Sequence, residues 1–136
     1  MRRETPVDFF RMIGLGHRGR GMPEWSQALT VQQRWDLVAF IWDLQRSEAD
    51  RAAGVRLWRE RCTPCHGAAG AGVVGKAADL ARPGSLIDRS DRVLFVRLSR
   101  PPHTEAFAGL SNAERWQAVG RARALSLGAG AGSPPP

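Results

Sequence analysis

Apolar residues recur along this chain at three- and four-residue spacing, the pattern of helices that bury one face. The cleanest case is "TVQQRWDLVAFIWDLQR", residues 30–46, where Trp35, Val38, Ile41 and Trp42 form the stripe and Leu37 and Leu44 widen it. Thr30 offers a side-chain oxygen to cap the first turn. A second helix is expected from about Ala49 to Arg61, anchored by Val55, Leu57 and Trp58. Two more cover "SDRVLFVRLS" and "SNAERWQAVGRARAL", the latter capped by Ser111, and a short one, "VDFFRMIGL", opens the chain. Between Gly67 and Ser85 the glycines and alanines read as irregular loop. The terminal "GAGAGSPPP" has nothing to bury and is expected to be disordered. No stretch alternates with period two for long, so the expected fold is all-α.

The pattern also repeats. "ALTVQQRWDLVAFIWDL" lies over "GLSNAERWQAVGRARAL" with Arg34-Trp35 in register with Arg115-Trp116. Upstream, "TPVDFF" matches "SDRVLF", and "MPEW" (22–25) falls opposite "TEAF" (104–107). The chain thus carries two copies of a helix–loop–helix half, and the segment between them holds both cysteines.

Composition narrows this little. A chain of 136 residues, 43% of them hydrophobic, can bury one modest core or two small ones. The net charge of +7 comes from 20 Lys+Arg against 13 Asp+Glu, and all the cations but Lys76 are arginine. They are spread rather than clustered, which argues against a nucleic-acid partner and leaves a basic surface suited to an acidic protein or an anionic membrane. The longest apolar run, "LVAFIW", is far short of the roughly 20 residues that span a bilayer. The start "MRRETPVDFF" has no apolar export core.

Chemistry concentrates in "RERCTPCHGAAGAG", residues 59–72, where Cys62 and Cys65 are followed at once by His66. A C-x-x-C pair can chelate zinc, cycle as a dithiol, or add to the vinyl groups of haem with the adjacent histidine on the iron. Zinc would need further donors, and the other imidazoles are His17 and His103. A redox dithiol of the thioredoxin kind would follow a strand, which is missing. Haem attachment uses all three residues: Cys62 and Cys65 reach the two vinyls and His66 binds the iron.

With these residues in place, the chain resembles a small bacterial c-type cytochrome of the His/Met kind, of the sort found as a domain of cbb3 oxidase subunits. "AAGVRLWRERCTPCHGAAGAG" resembles the family's first helix and attachment site, with Gly54 and Trp58 at its small and aromatic positions. "DLARPGSLIDRSDRVLFVRL" resembles the middle, and "RGRGMPEWSQALTVQQRWDLVAFIWDL" the closing half, with Met22 before Pro23 in the place of the sixth iron ligand. The resemblance implies one covalent haem c in an apolar helical pocket and a one-electron carrier rather than an enzyme. It also implies a redox protein partner, acidic or membrane-bound, and a periplasmic location, with the missing export signal pointing to a piece of a larger, membrane-anchored chain or a misplaced start. Paired halves of this kind also resemble the haem-containing front end of bacterial iron-permease fusion proteins.

The departures matter. Downstream of the haem motif, Thr104 falls opposite Met22, and Arg121 falls opposite Phe40, where the family packs an aromatic on the glycine of the first helix. Gly120 weakens the second copy's helix by roughly 1 kcal/mol relative to Ala. No proline follows His66 before Pro83, so the usual carbonyl partner of the ring is unassigned. The domain reading is therefore a C-terminal half at 1–46, a cytochrome c-like domain at 47–126 and a tail at 127–136.

Two arrangements are open. In one, residues 1–46 are the remnant of an upstream haem domain, and residues 90–125 cover the haem, with His103, water or nothing as sixth ligand. In the other the domain is permuted: helix 30–46 packs on helix 49–61 and Met22 closes the pocket. A site that keeps only His66 would be a five-coordinate sensor or ligand binder. Packing is the default role of Met12, Trp35, Trp42, Trp58 and Trp116; exposure in a loop is the default for His17 and His103.

Overall fold

The computed structural model describes residues 3–128, and within them the protein is all-α. Helix α1 (Pro6–Leu15) is capped by Thr5, and α2 (Val31–Asp43) by Thr30. In α2 the Thr30 hydroxyl accepts from the Gln33 N–H at 3.1 Å while the Gln33 side chain accepts from the Thr30 N–H at 2.9 Å. That exchange satisfies two otherwise orphaned donors. Helix α3 (Glu48–Leu57) starts at Ser47 and runs through a wide π turn, Trp58–Cys62, into the short α4 (Thr63–His66). A long irregular segment follows. Then come α5 (Asp91–Arg97), capped by Ser90, and α6 (Asn112–Ser126), capped by Ser111.

The sequence repeat has a counterpart in the packing. Phe10 stacks on Trp35 at 4.4 Å, and Phe95 stacks on Trp116 at 4.2 Å, with ring planes 19° and 22° apart. These are matched positions in the two copies. Both long helices of the repeat, α2 and α6, begin with the same reciprocal cap.

Two apolar clusters result. Ile13, Val38 and Trp42 hold α1 against α2, with Phe9, Met22, Leu29 and Trp35 around them. Trp58, Cys62, Phe107 and Ala118 form the other, flanked by Leu80, Leu98, Leu110 and Leu125. Full burial of each such large side chain contributes about 1.5–3 kcal/mol.

The most extensive helix pairing is α3 on α6. It depends on Gly54: a Cβ there would lie 2.6 Å from the Gln117 carbonyl oxygen and 3.4 Å from the Arg121 Cβ. Gln117 Nε2 donates to Asp50 Oδ1 at 2.9 Å across the same seam. This corrects the permuted arrangement, in which helix 30–46 would pack on helix 49–61. Phe40, the aromatic expected against Gly54, is 58% exposed, and Arg121 occupies that contact instead.

Gly120 also differs from expectation. It admits Arg46, whose Nη1 donates to the Gly120 carbonyl at 2.8 Å, so its missing side chain makes room for a contact between the halves. Met12, expected in the core, is exposed, as are Leu37, Leu44 and Val55. Leu127, assigned to the tail, packs on the α1–α2 cluster, while residues 129–136 of the expected disordered tail lie outside the described residues.

Candidate haem-attachment site

The site begins with a local conflict. Pro64 has no N–H and its ring crowds the carbonyl a turn earlier, so an ordinary helix cannot run through it unchanged. The backbone widens: the Thr63 N–H bonds to the Trp58 carbonyl, and the Thr63 hydroxyl donates to the same carbonyl at 3.1 Å. Single π turns of this kind concentrate at functional sites. Here the turn buries Cys62 under Trp58 and leaves Cys65 exposed on the next turn, with His66 half-buried after it. Gly67 follows at φ 74°, and Trp58 Nε1 donates to its carbonyl at 3.1 Å, tying the chain after His66 to the aromatic core.

Both thiols are free. Burial, and then the nearby Cys65, push the Cys62 thiol up to about 11. A redox-active dithiol needs the reverse, a thiol stabilised as thiolate. Nor do the described residues contain a group of three or more His, Cys, Asp or Glu able to hold a metal ion, as a zinc site would require.

Beside this turn stands His103. Its ring lies parallel to that of His66, 4° apart, with centres separated by 6.1 Å. Trp58 flanks His66 at 5.9 Å, and Phe107 meets His103 edge-on at 6.2 Å. Desolvation holds both imidazoles below their ordinary value. The Ala78 backbone opposes that shift at His66; at His103 the charges of His66 and Arg97 reinforce it and the Arg97 backbone opposes it. Each ring keeps a buried Nδ1 that makes no hydrogen bond of normal geometry. The backbone groups of Ala78 and Arg97 are the polar neighbours of the two rings.

The candidates separate accordingly. Cys62, Cys65, His66 and His103 come together, and the exposed loop expected for His103 gives way to a half-buried ring. Met22 packs in the α1–α2 cluster instead. Paired backbone bonds between His17 and Met22, 2.9 and 3.2 Å long, close a tight loop that holds Met22 against α1. Thr104 is exposed, as is His17. Phe107, buried at the heart of this site, was not singled out by its sequence context; its register with Trp25 in the repeat was the available signal.

A Cbb3-type cytochrome c oxidase subunit FixP from Rhizobium etli is 31% identical over 86 residues, covering 60% of this chain. The match spans 30% of that relative's length. No family model matches the chain. No solved structure matches it either. The likeness supports a c-type cytochrome-like relationship for this all-α chain.

Proposed function

We propose that the protein carries one covalent haem c, attached through Cys62 and Cys65 with His66 as an axial ligand to its iron, and serves in one-electron transfer. The observation that carries this reading is the single turn that presents two free thiols and a half-buried imidazole against an apolar cluster. The fit is chemical as well as spatial. The raised Cys62 thiol disfavours dithiol redox cycling, and an apolar cluster beside two thiols and an imidazole suits a haem face. When bound, the group supplies an iron that accepts and releases one electron.

The protein's own residues do the rest. Trp58, Phe107, Leu80, Leu98 and Leu110 exclude water beside His66, and the Trp58–Gly67 bond fixes the chain that follows it. Two residues on facing helices keep the attachment helix seated: Gly54, whose missing side chain lets α3 approach α6, and Gln117, whose amide donates to Asp50. The positive charge suits transient docking of an acidic redox protein, and the relative's membership of an oxidase favours an oxidase complex as that partner. Such a role places the domain on the exported, periplasmic side of a bacterial membrane, as a module of a longer chain; among the described residues no helix is long and apolar enough to cross a membrane.

The test is expression in a periplasm equipped for cytochrome c maturation, followed by acid-acetone extraction. Haem should stay with the wild-type polypeptide and become extractable when Cys62 and Cys65 are both replaced by Ala. Equal extraction from both proteins would remove the reading.

A further inference from the structure

We infer that His103 is the second axial ligand, so that two near-parallel imidazoles, and no thioether, hold the iron; this rests on the haem reading above. The spacing is the first argument. Direct stacking brings aromatic rings much closer in this same chain, to 4.4 Å at Phe10/Trp35 and 4.2 Å at Phe95/Trp116. His66 and His103 are as parallel as rings can be, at 4°, yet stand 6.1 Å apart. A metal about 2 Å from a nitrogen of each of two imidazoles would separate the ring centres by roughly 6 Å.

Burial and placement are the second and third. Both Nδ1 atoms are buried, with the backbone of Ala78 beside the His66 ring and that of Arg97 beside the His103 ring. His103 is positioned by its backbone: its N–H donates to the Arg100 carbonyl at 2.9 Å, and its carbonyl accepts from the Phe107 N–H at 3.1 Å. Phe107 is buried beside Trp58 and Cys62, which ties the loop carrying His103 to the turn carrying His66. Met22 belongs to the other cluster.

The consequence is functional. A thioether ligand raises the potential of haem iron, so a second imidazole in its place sets a lower one.

The test uses the holoprotein after acid-acetone extraction has shown covalent haem. The oxidised wild type should be six-coordinate and low-spin, without the weak far-red band of a thioether ligand. Its electron paramagnetic resonance should show the rhombic low-spin signal of parallel imidazoles. His103→Ala should become high-spin and bind carbon monoxide when reduced, and added imidazole should restore the low-spin spectrum. Met22→Ala should change neither. A far-red band in the wild type that Met22→Ala abolishes, or a His103→Ala protein that stays low-spin without imidazole, overturns the assignment while leaving covalent haem intact. Should His103→Ala fail to fold, the wild-type resonance spectrum decides alone: any signal other than that of a bis-imidazole iron overturns it. Absence of covalent haem in the wild type overturns the functional reading and this inference together.

Discussion

Trp42 and Arg123 grip the two oxygens of one carboxylate: Trp42 Nε1 donates to Asp91 Oδ2 at 3.0 Å, and Arg123 Nε donates to Asp91 Oδ1 at 2.8 Å. With the Arg-Trp pairs aligned, they are matched positions in the two copies of the repeat. One copy places an indole there and the other a guanidinium, and Asp91 at the start of α5 joins both. The α1–α2 half is thereby fastened to α6.

Arg123 is the most committed of the three. It is 1% exposed, and it also donates to the Leu86 and Arg89 carbonyls. Replacing it by Leu leaves the partly buried Asp91 carboxylate with Trp42 as its remaining side-chain donor and takes the guanidinium from two carbonyls, so a loss of about 3–5 kcal/mol is expected. Asp91→Asn keeps an acceptor and should cost less. Denaturant melts of both variants check the order, and a larger loss for Asp91→Asn would contradict it.

Trp42 and Trp116 offer a second comparison. Trp42 is buried in the α1–α2 cluster, whereas Trp116 stacks on Phe95 and stays partly exposed. Trp42→Ala should cost about 3–5 kcal/mol, and Trp116→Ala less. Trp42→Phe retains most of the packing but leaves Asp91 one donor short, for about 1 kcal/mol. Midpoints of urea unfolding measure all three.

The two helical glycines should respond differently to Ala. In an open helix Gly→Ala gains about 1 kcal/mol. At Gly54 the added methyl meets the Gln117 backbone carbonyl, which cannot move without shifting α6, so a net loss of about 1–3 kcal/mol is expected. At Gly120 it meets the Arg46 side chain, whose Cδ would lie 2.8 Å away and which can swing aside. Gly120→Ala should therefore be milder, as read by thermal melting. Gly54→Ala should also reduce the yield of haem-loaded protein, since α3 leads directly into the attachment turn.

Acid should loosen the helix starts. Hydrogen bonds hold three carboxyls below their ordinary values: Asp8 with Thr5, Asp50 with Gln117 and Ser47, and Glu114 with Ser111. Their unfolded forms take up protons first, so these groups add stability above the ordinary values, 3.8 for the two aspartates and 4.5 for Glu114, that is lost as pH falls through the lower folded ones. Glu114→Gln keeps the acceptor of the cap but removes its titration. The variant should lose helicity less steeply than the wild type between pH 5 and pH 3, about the range over which carboxylates protonate. Circular dichroism against pH reads the slope.

Sequence alone determined the local features. Helix spacing, the caps at Thr30 and Ser111, the Arg-Trp repeat and the C-x-x-C-H turn all depend on contacts within a few residues, and each is legible as a pattern. Helix 49–61 was legible as an element, but the widening of its end at Pro64 was visible only as a proline between the two cysteines. Which copy covers the helix that leads into the C-x-x-C-H turn was decided by tertiary structure. Residue quality pointed to helix 30–46, with Phe40 and Met22; close backbone approach at Gly54 selected α6 instead, because it depends on the Gln117 carbonyl and the Arg121 Cβ rather than on an aromatic. Local spacing likewise could not bring His103 to His66. Their separation along the chain is bridged by the burial of Phe107 against Trp58, a contact that no helical period encodes.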